Sequence, residues 1–188
     1  LTKKHKAQRQ SNFFDVCGQC KISCCRDAKP PTTPARRRII EEQLAENPLQ
    51  GVEQPYFVEE NSYTHPRETP EGFCIFYDKR TKLCRIHSVK PETCVAGPIT
   101  FDINPKTKKL EYFLKMEKIC PLADKIHRLG GETLEKHLSS AKTEIRRLLA
   151  DIEPEALRSI LKIDEPDTFK IFEEVSEDAR KKLATRSA

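Results

Sequence analysis

No stretch of this chain approaches the roughly 20 consecutive apolar residues of a membrane-spanning helix. The cationic start, Leu1 to Arg9, is followed by no apolar segment of the kind a signal peptide needs. Residues 1–12 therefore read as a basic, disordered tail. Cysteine is absent after Cys120. There is no second C-x2-C, which a zinc ribbon requires. No βαβ pattern surrounds the cysteines, which argues against a thioredoxin-type dithiol. The basic runs, Lys3 to Arg9 and Arg36 to Arg38, lack the interleaved aromatics of a single-strand nucleic-acid binder. The net charge of +5 then reads as a frayed tail and a solvated helix face, with nucleic acid or another acidic partner as the minor alternative.

What is present is cysteine. Eight lie between Cys17 and Cys120. Cys17, Cys20, Cys24 and Cys25 are bunched, Cys74, Cys84 and Cys94 follow at equal steps, and Cys120 closes the set before Pro121. Thiolates are the soft ligands that zinc and iron–sulfur clusters take. Cys17 and Cys20, at C-x2-C spacing, can reach one metal from one loop, with distant ligands completing the site. Eight thiols suffice for two four-thiolate sites, or for one cluster with thiols to spare. Cys24 and Cys25 are adjacent, and neighbouring side chains usually diverge. They are expected to serve different sites, or one ligates while the other is buried as a small hydrophobe.

Rival uses of thiols fit less well. A chain of 188 residues can bury a core without disulfide staples. Disulfide scaffolds are usually shorter, secreted and richer in glycine. Nucleophilic catalysis needs one activated cysteine beside a base, and nothing singles one out. Free thiols in this number imply a reducing cytoplasm. His65 and His87 are the two histidines placed where a ligand could be, although most single histidines are not ligands. His127 and His137 read as surface or packing residues. Phe73, Phe76, Tyr77 and Ile86 would wall the site from water.

The expected fold class is α+β. A small irregular cysteine-rich core over 13–121 holds two β-hairpins and a helix, and a helical C-terminal segment, 122–188, packs on that core or on a partner. Thr33 caps a helix with Pro34 in its first turn, running to about Glu46 and burying Ile39, Ile40 and Leu44. Residues 48–72 read mostly as loop, with a short extended piece at Tyr56 to Val58. Phe73 to Tyr77 and Leu83 to His87 flank a polar turn as one hairpin, and Ile99 to Ile103 with Leu110 to Leu114 form the second. Leu134, Leu138, Ala141, Ile145, Leu148 and Ile152 step by threes and fours as a helical seam. Leu157, Ile160 and Leu161 mark a shorter helix. Phe169, Phe172, Val175, Ala179 and Leu183 suggest a last one.

The cysteine pattern, with Phe76 and Tyr77 after Cys74, Ile86 and His87 after Cys84, and Lys90-Pro91 before Cys94, resembles the YkgJ-type CxxCxxCC cysteine-cluster family. The resemblance covers roughly residues 13–120 and implies a zinc- or iron-chelating domain. The first motif is one residue longer than the family's. The family's usual Tyr is His87 here, its Arg is Lys90, and the Arg after the third spaced cysteine is Val95. Lys cannot make the planar two-pronged contact that Arg makes. Similar clusters in flagellin lysine-N-methylases, thought to carry an iron–sulfur cluster, add a protein lysine methyltransferase as a distant reading.

The leading expectation is a cytoplasmic protein holding one or two [4Fe–4S] clusters. Its metal ligands would be Cys17, Cys20, Cys24, Cys25, Cys74, Cys84, Cys94 and Cys120. It would act in electron transfer or in maturing another metalloenzyme, docking a protein partner through its C-terminal helices, with no membrane contact. A structural zinc module for protein or nucleic-acid interaction is the alternative. The balance leans against an enzyme, since no S-adenosylmethionine loop is visible.

Overall fold

The computed structural model describes residues 13–20, 24–165 and 167–184, with helices and short antiparallel strands mixed along the chain. The tail expected over 1–12 lies outside the described residues. The class is α+β, as expected. In chain order the elements are α1 (Phe13–Gln19), α2 (Pro34–Glu46), β1 (Phe57–Glu60), β2 (Tyr63–Pro66), β3 (Tyr77–Asp78), β4 (Leu83–Cys84) and α3 (Glu92–Ala96). Then follow β5 (Ile99–Ile103), β6 (Lys109–Lys115), α4 (Pro121–Leu129), α5 (Gly131–Asp151), α6 (Pro154–Ile160), β7 (Thr168–Val175) and α7 (Glu177–Ala184).

Helix α2 starts and stops where its local chemistry directs. The Thr33 hydroxyl accepts from the Arg36 amide at 3.1 Å, Pro34 occupies the first turn, and Asn47 ends the helix before Pro48. It buries Ile40 and Leu44, but Ile39 is 46% exposed, so the expected apolar face is narrower by one residue. The stretch read as loop contains a hairpin, β1–β2, in the register Phe57 with Pro66 to Glu60 with Tyr63. Its two-residue turn, Asn61-Ser62, has both φ positive, at 52° and 67°. That conformation matches the strand twist. Ser in the second position, where glycine is usual, is why the turn does not announce itself.

The β5–β6 hairpin pairs Ile99 with Leu114 through Ile103 with Leu110, close to the expected bounds. Strand β7 adds to the free side of β6, giving the order β5-β6-β7. This corrects the single last helix expected from Phe169 to Leu183. The apolar residues there are spaced for a helix, but Phe169, Ile171 and Phe172 are also strand formers. The open edge of β6 offers the ladder that decides between the two. The helix begins only at Glu177, after Ser176, whose hydroxyl accepts from the Ala179 amide at 3.3 Å.

Helix α5 lays its seam across β5 and across α3. Ala141, Ile145, Leu148, Leu149 and Ile152 join Ile99, Leu110, Tyr112 and Leu114 in one apolar cluster, together with Leu157 of α6 and Ala179 of α7. The seam therefore packs inward. A second cluster gathers Ile40, Leu44, Phe57, Ile75, Phe76 and Ile86, and Cys74 and Cys84 pack against it. Among the described residues no helix is long and apolar enough to cross a membrane.

Glu174 ties α5 to the sheet. It accepts from Arg146 at 2.9 and 2.6 Å and from the Tyr112 hydroxyl at 2.8 Å, with Lys142 at 3.1 Å. Burial alone would raise this carboxyl, but the hydrogen bonds from Arg146, Tyr112 and Lys142 outweigh it and hold it below its ordinary 4.5. The contribution is thus present above pH 4.5 and is lost as pH falls through the depressed value. Glu174→Gln is expected to cost about 2 kcal/mol at neutral pH. In urea titrations the gap from the parent should shrink towards pH 3. A gap of equal size at both pH values would show that the carboxylate charge is not its source.

Candidate metal centre

Cys17 sits in α1, and the Cys20 amide donates to the Cys17 carbonyl at 3.1 Å, so both follow one short turn. Helix α1 packs on α4 and on β4. Cys120 is the N-cap of α4, with Pro121 in its first turn, and Cys84 ends β4. Packing of α1 thus brings the C-x2-C pair towards two cysteines distant in sequence.

Cys25 and Cys74 meet through the backbone. Arg26 bridges Phe73, the Cys74 amide donates to the Cys25 carbonyl at 2.8 Å, and the Asp27 amide donates to the Gly72 carbonyl at 2.7 Å. That register sets Cys25 across from Cys74 with both side chains on one face. On the other side Glu68 bridges Cys74, with the Ile75 amide donating to the Arg67 carbonyl at 3.0 Å. Cys74 is therefore the middle rib of three short antiparallel segments. Gly72 makes the entry turn: its φ is +79°, and a Cβ there would stand 2.5 Å from the Asp27 carboxylate.

Cys84 pairs with Tyr77 across β3–β4, a hairpin much shorter than the sequence suggests. The Tyr77 amide donates to the Cys74 carbonyl at 2.9 Å, which closes the loop between these two cysteines. Cys94 rides on α3, which packs on α5. Phe76 and Ile86 are fully buried beside Cys74 and Cys84, as a wall should be. Phe73 and Tyr77 instead stack on each other, 5.0 Å apart and nearly parallel, with Arg26 and Lys79 over the Phe73 ring.

All eight cysteines are free thiols. Burial raises Cys17, Cys84 and Cys120, and pushes Cys74 up to about 12. Cys94 is raised by burial and then by the Cys74 and Cys84 thiols. Cys24 and Cys25 are hydrogen-bonded to each other. The Cys25 thiol donates, which lowers Cys24 and raises Cys25. One cation recurs: the Lys90 ammonium favours the thiolate of Cys17, Cys24, Cys84 and Cys94. It also lies 3.3 Å from His87 Nε2.

The stretch from residue 16 to residue 121 matches a protein family, CxxCxxCC, described as "Putative zinc- or iron-chelating domain". The chain belongs to that family. The matched stretch spans every cysteine and stops at the start of α4. No curated protein and no solved structure matches the chain.

The thiols of this CxxCxxCC domain fit a soft metal by donor type. As they lie, no three His, Cys, Asp or Glu side chains among the described residues stand close enough together to hold an ion. They share one region without being closed into a coordination sphere. Closure around an ion requires the thiol protons to leave. Neither histidine named from the sequence is among the strongest electrostatic influences on the thiols. His65 is buried in β2, with Nδ1 2.9 Å from the Pro66 carbonyl and Nε2 3.5 Å from Glu60. His87 lies beside Lys90, and burial lowers its pKa. His127 packs edge-on against Phe169.

Sequence reading missed two residues. Lys90 counted only as a poor substitute for Arg, yet its charge favours the thiolate at four of the cysteines. Glu68 has a buried Oε1 with no hydrogen-bond partner and is among the charges that act on Cys74. No local signal marks Glu68; only the register opposite Cys74 places it there.

Proposed function

We propose that this chain is a cytoplasmic iron–sulfur protein, with one or two [4Fe–4S] clusters held by the eight cysteines. It would serve electron transfer or the maturation of another metalloenzyme. The observation that supports this reading is eight free thiols in one stretch of the chain, with Cys74 and Cys84 packed against an apolar wall and the Lys90 charge favouring the thiolate at four of them. Such a cluster supplies reversible one-electron chemistry. Phe76 and Ile86 exclude water on the inner side, which tunes the potential. Lys90 offsets the negative charge that thiolate ligation concentrates there. Exposed Cys17 and Cys24 leave the opposite side near solvent, where an electron partner can approach.

The test is anaerobic purification with iron, zinc and acid-labile sulfide measured on one sample. Brown protein with matched iron and sulfide and a broad band near about 400 nm is expected. Colourless protein with zinc and no sulfide would replace this reading with a structural zinc module and remove electron transfer.

A further inference from the structure

Strand β7 is the last strand of its sheet, and among the described residues no further strand pairs with its outer side. It is eight residues long and contains no proline. An open edge of that kind presents amides and carbonyls in a row, a template for one more strand. Two of its side chains, Phe172 and Val175, are exposed apolar groups, at 36% and 53%.

The register with β6 fixes which face of the sheet each β7 side chain takes, since residues directly opposite share a face. Phe169, Phe172 and Glu174 stand opposite Leu114, Tyr112 and Leu110, on the face that α5 covers. Lys142 of α5 confirms this, with its ammonium 3.8 Å from the centre of the Phe172 ring. Thr168, Lys170, Glu173 and Val175 stand opposite Lys115, Phe113, Glu111 and Lys109, on the other face. Ile171 is the extra residue where the register shifts, and it packs against the apolar cluster under α5. Read from either end, β7 therefore gives the same order of faces. The bulge creates that symmetry, because a regular strand of even length alternates and reads differently from its two ends.

We infer that β7 pairs antiparallel with β7 of a second copy of this chain, with Ile171 opposite Phe172, so that the two sheets continue into one. In this register every side chain meets one on its own face, and a slip of one or two residues either way breaks the match. The same register sets Lys170 opposite Glu173 of the second copy, twice by symmetry, so opposite charges meet. Within one chain Lys170 lies 3.1 Å from Glu111 and 2.9 Å from Glu173, and Glu173 also pairs with Lys109. The pairing would join two such networks into one. It would also cover the exposed Phe172 with Ile171 of the second copy. Faces and charges that match themselves favour a second copy over an unrelated strand. No cysteine takes part, so the pairing is independent of the metal centre.

Sedimentation equilibrium of the whole reduced chain, over a wide range of concentration, tests this. A reversible monomer–dimer equilibrium is expected. Lys170→Glu sets like charges opposite each other at two places and should weaken the dimer about tenfold or more, and Glu173→Lys should do the same. Mixing the two variants should restore the dimer, because each then offers the charge that the other needs. Circular dichroism checks that both are folded. The parent also gives a reading that needs no variant. Hydrogen exchange at the β7 amides should slow as concentration rises, while exchange in β1 and β2 stays constant. A parent that is monomeric at every concentration would overturn the proposal and leave the edge to a different strand. So would a dimer that both folded variants keep at full strength, or β7 exchange that stays constant while the dimer forms.

Discussion

Saturating the reduced chain with zinc should raise its free energy of unfolding by about 5 kcal/mol or more, and the gain should grow with pH. A metal held by thiolates binds the folded arrangement and not the scattered thiols of the unfolded chain, so binding energy becomes folding energy. The segments that carry Cys25 and Cys74 have little regular structure of their own, and ligation would pin them. The pH dependence follows from the protons. Burial holds Cys17, Cys74, Cys84, Cys94 and Cys120 neutral at pH 7, with Cys74 at about 12. Each must lose its proton to ligate. The metal-bound form thus carries fewer protons than the metal-free form, and raising pH favours it. Affinity should rise by about tenfold per pH unit for each neutral thiol displaced, approaching about 10⁴-fold per unit for a four-thiol site.

The metal-free chain should behave in the opposite sense at high pH. Its folded state keeps thiol protons that the unfolded state releases near 9.0, so its stability falls as pH rises from there towards about 12. Guanidinium titrations with zinc and with chelator, repeated from pH 6 to pH 8, measure the first effect. Zinc affinity that is flat across this range would mean that the ligands are not protonated thiols.

Arg36→Ala is expected to destabilise the protein by about 3–5 kcal/mol. The Arg36 guanidinium joins three helices. Its Nε lies 3.7 Å from Glu92 of α3, and a terminal nitrogen donates to Glu144 of α5. Glu92 is only 2% exposed and also accepts from the Thr33 hydroxyl, the α2 cap, at 2.6 Å. Its second oxygen is buried with no hydrogen-bond partner. Without the guanidinium, a buried carboxylate keeps one neutral donor, and Glu144 keeps only Arg147 at 2.6 Å. Uncompensated buried charge costs more than the lost contact.

The double variant Arg36→Ala/Glu92→Gln should recover part of the loss, because the amide carries no charge to strand. If the double variant is as unstable as the single one, packing of the Arg36 stem rather than charge compensation explains the effect. Since α3 carries Cys94, the single variant should also weaken metal binding, which a zinc titration of the reduced chain reads.

Local signals made part of this fold legible. Thr33 and Pro34 mark the start of α2, and the alternation of Ile99 to Ile103 marks β5. The three-four spacing from Leu134 to Ile152 marks α5. Each is decided by residues within a few positions of one another. The elements that escaped are those whose partner lies far away. Strand β7 exists because β6 has an open edge, and the turn at Asn61-Ser62 closes without the glycine that would advertise it.

The same division holds for the centre. Sequence alone determined the chemistry: eight soft donors confined to the stretch before α4, in the pattern of the CxxCxxCC family. Tertiary structure decided which of them are neighbours. The ladder that sets Cys25 opposite Cys74, and the packing of α1 on α4 and on β4, are relations between distant segments. Hydrogen-bond register and helix packing create them, and neither leaves a trace in the spacing of cysteines along the chain.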